Sequence, residues 1–299
     1  MMFSPEREFT RWNLSGFYGS PAVLFKEIES THSLMKQKAA AGEIQPGILF
    51  VADRQTQGRG RHERTWESPA GLNLYFNILI PLEGIPLNRT PQITQVAALT
   101  FAEVFRDLQD AGNSIRNNPD SNEINGEANS GNPRENRVTV KWPNDILCGK
   151  SKFCGILAEI VYQSGKPALN MGVGINVNSK PEDYAFLGRA VTTLKTIAGR
   201  PINREILLQV LIGNLERAVG QFKAFGITPW VSAWKKMDQF IGARGTIVVN
   251  NRCTDSNRDG GSGVQKKSGR ILDMQPDGSL LFETEDGETL TVYSADLEI

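Results

Sequence analysis

The stretch Asp53-Arg54-Gln55-Thr56-Gln57-Gly58-Arg59-Gly60-Arg61 leads on to Trp66. Its two central glycines let the backbone wrap closely around a ligand with N–H groups turned inward, and Arg59 and Arg61 add two guanidinium forks suited to phosphate oxygens. The pattern predicts a clamp for a polyphosphate. A G-x-G turn by itself is more often a solvated surface loop, and its company decides the reading. Further along stand Lys141-Trp142-Pro143-Asn144-Asp145, then Lys150-Ser151-Lys152 with Gly155, then Gly172-Val173-Gly174-Ile175-Asn176.

Around these motifs the chain reads as alternating strands and helices. Thr31 to Gly42 carries a helix signal, with Thr31 or Ser33 as cap and Gly42 as stop. Gly47 to Asp53 and Leu72 to Ile80 read as strands of a partly buried sheet. Thr90-Pro91 opens a helix whose apolar positions Ile93, Val96, Ala97, Val104 and Leu108 recur at helical spacing, and Gly112 is expected to close it. Val138 to Val140, Gly155 to Tyr162 and Ala168 to Asn176 read as strands, which puts the lysines on a turn and the chemistry on loops. Asn203 to Phe225 is an amphipathic helix with Ile206, Leu207, Val210, Leu211, Leu215, Val219 and Phe222 on one face. Thr228-Pro229 opens another, with Trp234 buried.

Two stretches break the pattern. Residues 113–137 turn to Asn, Ser, Gly, Pro and Glu with almost no apolar residue, the composition of a disordered insertion. From Phe240 the chain changes to short strands at 245–249, 268–274, 279–283 and 289–293, with Asp277-Gly278 and Asp286-Gly287 turns, as in a small β-barrel. The polar stretch 250–267 inside it reads as a long loop. The expected domains are therefore 1–239, containing the 113–137 insertion, and 240–299.

Composition narrows the function. Hydrophobic content of 39% and charged content of 22% are those of an ordinary globular chain, and 33 basic against 33 acidic residues leave no overall field to collect nucleic acid or an anionic membrane. Three cysteines, with no C-x-x-C pair, speak against a disulfide framework or zinc site and for a reducing, cytoplasmic setting. The N-terminus is charged where a signal peptide is apolar, no apolar run reaches membrane-span length, and no DNA-binding domain is expected there.

Familiar catalytic sites fail in turn. Gly149-Lys150-Ser151 resembles the end of a phosphate-binding loop, but Asn144 stands where its first glycine belongs. Gly172-Val173-Gly174 lacks the third glycine of a dinucleotide fingerprint, with Val177 in its place. With two histidines, His32 and His62, a metal cluster or histidine-dependent nucleophilic triad has little to draw on. What remains is Arg59, Arg61, Lys150 and Lys152 for phosphate, Asp145 for magnesium and Trp66 to stack a purine. That set suits attack by a substrate carboxylate on the α-phosphate of ATP, with the protein positioning and neutralising.

D-R-Q-T-Q-G-R-G-R, W-E-S-P, K-W-P-N-D, K-F-C-G-I-L-A-E and G-V-G-I-N-V-N, in this order, closely resemble biotin protein ligase, also called biotin-[acetyl-CoA-carboxylase] ligase. The resemblance runs from about Ser30 to the C-terminus. It implies an α+β fold: a mixed β-sheet flanked by helices, of the class II aminoacyl-tRNA-synthetase-like kind used by biotin and lipoate ligases, with a C-terminal small Src-homology-3-like β-barrel. It implies ATP and biotin as substrates, Mg2+, formation of biotinyl-5'-AMP, and transfer to a lysine of a biotin carboxyl carrier protein by a monomer or weak homodimer. Neither nucleic acid nor membrane is an expected partner. The alternatives are a lipoate-protein ligase and a non-catalytic biotin or nucleotide sensor.

Carried over motif by motif, the resemblance makes Lys152 and Arg61 catalytic. It assigns Ser30, Thr31, Gln55, Arg59, Gly60, Arg61, Lys152, Gly155, Gly172 and Gly174 to biotin. Arg59, Arg61, Trp66, Lys152 and Asn176 go to the nucleotide, and Asp145 to the metal. His32 departs from the asparagine common in the family. Trp142, Pro143 and Cys154 read as packing residues.

Overall fold

The computed structural model describes residues 9–116, 136–250 and 264–299. Its first strands are β1 (Ala22–Phe25), β2 (Leu49–Ala52), β3 (Leu74–Pro81), β4 (Val138–Lys141), β5 (Asp145–Cys148), β6 (Ser151–Gln163) and β7 (Lys166–Ile175). They form one sheet in the order β1-β2-β3-β7-β6-β5-β4, with β1 parallel to β2 and every other pairing antiparallel. The helices are α1 (Thr31–Ala40), α2 (Thr90–Arg116), α3 (Leu194–Ala198), α4 (Arg204–Phe225) and α5 (Thr228–Met237). A second, antiparallel sheet follows: β8 (Arg244–Asn250), β9 (Val264–Met274), β10 (Leu280–Thr284), β11 (Thr289–Val292) and β12 (Asp296–Glu298), ordered β11-β10-β9-β8-β12.

Strand alternation assigns the two faces of the large sheet. Leu74, Phe76, Ile78 and Ile80 of β3 point into the main core with Phe101 and Phe105 of α2 and Leu208, Leu211 and Leu215 of α4. Leu79 points the other way, with Val161 and Ala168, under Met35 and Ala39 of α1. The main core continues into the second sheet through Ile247, Ile271, Met274 and Phe282. There the turn at Gly278 accepts hydrogen bonds from Gln95 Nε2 at 2.8 Å and Trp142 Nε1 at 3.1 Å. Trp142, Trp234 and Cys154 are buried packing residues, as expected from the sequence.

Several expected boundaries need correction. Ser30 caps α1, its Oγ accepting from the Ser33 N–H, in place of Thr31 or Ser33. Gly112 does not end α2, which runs on to Arg116 and so takes in the start of the expected 113–137 insertion. A Cβ at Gly112 would lie 2.2 Å from the Ala198 carbonyl oxygen, so this glycine lets α2 and α3 touch. At the other end of that stretch Arg137 is held by both oxygens of Asp110 at 2.9 Å; residues 117–135 lie outside the described residues. The buried face of α4 is rotated from the expected one: Leu208 and Ile212 are inside, while Ile206 and Val210 are 55% and 42% exposed. Residues 264–267 of the expected 250–267 loop belong to β9, and 251–263 lie outside the described residues.

Candidate active site

Above the α1 face of the sheet, the apolar residues that pack under α1 give way along β3, β6 and β7 to Asn77, Gly155, Gly172 and Gly174. Small and polar side chains cannot fill the layer, and an open cleft of about 740 Å3 results. Thr31, Gln55, Arg59, Gly60, Arg61, Trp66, Asp145 and Lys152 line it together. Arg61 and Lys152, from distant parts of the sequence, thus face one cavity.

The glycines make room for neighbouring side chains. A Cβ on Gly174 would sit 2.4 Å from Trp66 Cε2, and one on Gly155 would sit 3.0 Å from both Trp66 Cζ3 and Lys152 Nζ. Since Gly155 and Gly174 are paired across β6 and β7, they form a flat bed for the indole. The Trp66 Nε1–H is buried without an acceptor among the described residues.

The Gly58–Trp66 loop folds back on itself. The Trp66 N–H donates to the Gly58 carbonyl at 2.9 Å and the Gly60 N–H to the Arg64 carbonyl at 2.7 Å. A Cβ at Gly58 would strike the Trp66 carbonyl oxygen at 2.2 Å. Arg61 crosses to the second sheet, where its guanidinium donates to the Ala295 carbonyl at 3.3 Å and lies 3.3 Å from Asp296 Oδ1, while Nη1 also donates to Asn144 Oδ1 at 3.1 Å. His62 and Arg64 reach the same carboxylate at 3.3 and 3.2 Å.

Lys152 belongs to β6 and Asp145 to β5, so these two functional candidates sit on strands, contrary to the expectation of loops. A register shift between Ile146 and Leu147 pairs Asp145 with Gly155 and Leu147 with Lys152. The extra residue of this bulge, Phe153, turns into the core against Phe105, their ring centroids 5.3 Å apart. The bulge therefore puts Lys152 on the same face as Asp145 and Gly155; regular alternation would have turned it away. Its Nζ lies 2.7 Å from Asp145 Oδ1 and 5.4 Å from the centre of the Trp66 ring. Behind them, burial pushes the Lys141 ammonium pKa down, with Asp145 opposing.

A smaller recess of about 280 Å3 opens beside Trp66 and Lys152, lined by Glu67, Asn176, Tyr184, Leu187, Arg189 and Val191. Its outer wall is pinned in two places. Asn73 Nδ2 donates to the buried Tyr184 hydroxyl at 2.6 Å, and the Lys152 N–H donates to the Ala190 carbonyl at 3.1 Å.

Residues 24–178 match the model of the biotin/lipoate A/B protein ligase family. This chain belongs to that family. The bifunctional ligase/repressor BirA of Bacillus subtilis is 29% identical over 279 residues, 93% of this chain and 74% of the relative. A biotin–[acetyl-CoA-carboxylase] ligase of Mycobacterium tuberculosis is 25% identical over 269 residues, 90% of this chain and 85% of the relative. The biotin protein ligase of Aquifex aeolicus, solved with biotin and ATP, has the same fold: TM-score 0.68 at 24% identity, covering 93% of this chain and 97% of that one.

Within this family fold the structure gathers most residues singled out from the sequence. Thr31, Gln55, Arg59, Gly60, Arg61, Trp66, Asp145, Lys152, Gly155, Gly172 and Gly174 line the cleft, and Asn176 lines the recess that shares Trp66 and Lys152 with it. Ser30 lines neither: it is buried as the cap of α1. Sequence reasoning missed Asn77, Asn144, Arg189 and Asp296, which also line the cleft. Asn144 lies inside the Lys141–Asp145 motif and so offered a signal; Arg189 and Asp296 stand in stretches without one.

Asp145 is the candidate magnesium ligand. Its carboxylate is paired with Lys152, and no cluster of three acidic, histidine or cysteine side chains exists among the described residues. One carboxylate suits an ion that takes most of its oxygens from a triphosphate and water, and suits no all-protein cage.

Proposed function

We propose that this chain is an ATP-dependent biotin protein ligase, which activates biotin as biotinyl-5'-AMP and passes it to a lysine of a biotin carboxyl carrier protein. The observation that carries this reading is that Arg59, Arg61 and Lys152 line the same cleft as the polar floor of Thr31, Gln55 and Asn77. A biotin carboxylate oxygen bonds to the α-phosphorus, the bond to the β-phosphate breaks, and pyrophosphate leaves with the electron pair. The lysine amine then attacks the acyl carbon, AMP leaves, and the amine gives up a proton to solvent.

Two anions brought to ~4 Å repel by about 4 kcal/mol at an effective dielectric of about 20, so Lys152 and Arg61 matter most where carboxylate and phosphate meet. Trp66 and Asn176 flank the nucleotide. Asp145 would help to hold Mg2+, which would supply further charge neutralisation there. A second groove, of about 1070 Å3, shares Arg61, Asn144, Ile156 and Leu157 with the cleft and gives the acceptor lysine a path in. We assign residues 1–239 to the catalytic unit and 240–299 to a smaller unit that anchors the clamp loop.

The cleft floor favours biotin over lipoate within the family. A ureido ring presents N–H donors to the acceptor oxygens of Thr31, Gln55 and Asn77, whereas a dithiolane ring has no donor and would leave that acceptor capacity unused. Incubation with biotin, ATP and magnesium should give biotinyl-5'-AMP that disappears, with labelling of the carrier, when apo carrier protein is added. An adenylate that forms and is never transferred would refute the ligase reading; no adenylate would refute the activation step.

A further inference from the structure

His32, at 3% exposure, lines the cleft among polar side chains whose proton arrangement follows from a single fixed point. Asn170 Nδ2 lies 3.0 Å from the His32 carbonyl oxygen, which can only accept, so the Asn170 amide has one orientation. Its Oδ1 then faces Asn77 at 2.7 Å, and the Asn77 atom there must be the donor Nδ2. The other N–H of Asn77 Nδ2 points at His32 Nδ1, 3.0 Å away, which must be the unprotonated ring nitrogen. The imidazole proton therefore sits on Nε2, facing the Glu159 carboxylate with Oε2 3.4 Å away. Lys36 holds that carboxylate from the other side at 2.9 Å.

The same ordering of donors and acceptors reaches the cleft. Asn77 Oδ1, left as an acceptor, lies 2.7 Å from Thr31 Oγ1, and Gln55 Oε1 lies 2.9 Å from it. Gln55 Oε1 already receives the Thr31 N–H at 2.9 Å, while Gln55 Nε2 donates to Ser68 Oγ at 3.1 Å, so this amide is oriented too. The single hydroxyl proton of Thr31 is thus claimed within the protein. Turning it towards a ligand would leave the buried Asn77 oxygen without a donor, at a cost of about 1–3 kcal/mol. Gly172 makes the arrangement possible, because a Cβ there would meet Asn77 Nδ2 at 2.9 Å and His32 Nδ1 at 3.1 Å.

We propose that His32, Asn77 and Asn170 are positioning residues that hold the Thr31 hydroxyl as a hydrogen-bond acceptor, so that the cleft selects a ligand presenting an N–H group at Thr31. The proposal rests on the biotin reading above, in which that group is one N–H of the ureido ring. The histidine at position 32 thereby gains a role, because its Nδ1 accepts the second N–H of Asn77 and so helps to lock that amide.

The test is calorimetric titration of the whole protein with biotin and with the two cyclic-carbamate analogues in which one or the other ureido N–H is replaced by oxygen. The parent is expected to reject the carbamate whose oxygen faces Thr31 by about thirtyfold or more relative to biotin. Asn170→Leu removes the fixed point and Asn77→Ser removes the orienting amide; each should shrink that ratio by about fivefold or more, with ATP affinity changed less than about twofold. Asn77→Ser, the smaller change, serves if Asn170→Leu does not fold. Equal weakening of biotin and both carbamates would overturn the positioning role, as would a parent that accepts both carbamates as readily as biotin. A parent that binds ATP but not biotin would instead refute the reading underneath.

Discussion

Arg61, from the glycine-rich clamp loop, lies 3.3 Å from Asp296 in β12, the last strand of the second sheet. The clamp is therefore held in part from outside its own sheet, and His62 and Arg64 converge on the same carboxylate. Asp296→Ala removes the shared anchor and leaves Arg61 with Asn144 and the Ala295 carbonyl. Amide exchange across residues 58–66 should quicken by about fivefold or more, with α1 unaffected, because a loop with fewer fixed contacts opens locally at lower cost. Unchanged exchange there would show that the pairing does not order the loop.

Lys152 is paired with Asp145 at 2.7 Å and lines the cleft beside it. Lys152→Ala should lower the rate of adenylate formation at least about tenfold, the effect of about 1.4 kcal/mol of lost transition-state stabilisation. The single-turnover rate with saturating biotin and ATP is the measurement; a rate equal to the parent's would remove Lys152 from the chemistry.

His32 and Lys36 pull the Glu159 carboxyl pKa down to about 2 from an ordinary 4.5. A carboxyl whose folded value lies below its unfolded one binds fewer protons when folded. Its stabilisation is therefore complete above about pH 4.5 and is lost as the pH falls towards about 2. After allowance for its partial exposure, Glu159→Gln should cost ~1 kcal/mol at pH 6, in a gap that narrows on acidification. Urea unfolding of parent and variant at a series of pH values tests this, and a gap independent of pH would contradict it.

Arg204 is buried at the start of α4, 2.9 Å from Asp53 Oδ1, donating to the Asn73 carbonyl at 3.1 Å and stacked over Trp12 at 5.1 Å. Arg204→Met removes the cation paired with the Asp53 carboxylate at the entrance to the clamp loop, which should cost about 3 kcal/mol or more and lower Tm by roughly 6 °C or more. The exposed Arg54–Glu27 pair is the control: Arg54→Met should cost less than about 1 kcal/mol. Equal losses in the two variants would show that burial does not set the difference.

The family motifs made the cleft legible in advance: Arg59, Gly60, Arg61, Trp66 and Lys152, singled out from the sequence, line it together. The bulge that aims Lys152 was not legible: Asp145-Ile146-Leu147-Cys148 is too short to show alternation, and the extra residue of β6 appears only in its pairing. Gly112 misled for a related reason. A glycine near the end of a helical pattern looks like a stop, and only the approach of Ala198 shows why it sits inside α2. Asp296 and Arg189 left no trace, since a single charge on a surface strand or loop acquires meaning from what the fold brings near it.

We propose that cations from separate segments serve one biotin-activating cleft. The most direct test is exchange of labelled pyrophosphate into ATP. Exchange that depends on biotin, is not supported by lipoate, and falls at least about tenfold in Lys152→Ala is the predicted result. Exchange driven by lipoate, or no biotin-dependent exchange by the folded parent, would contradict a biotin-activating role.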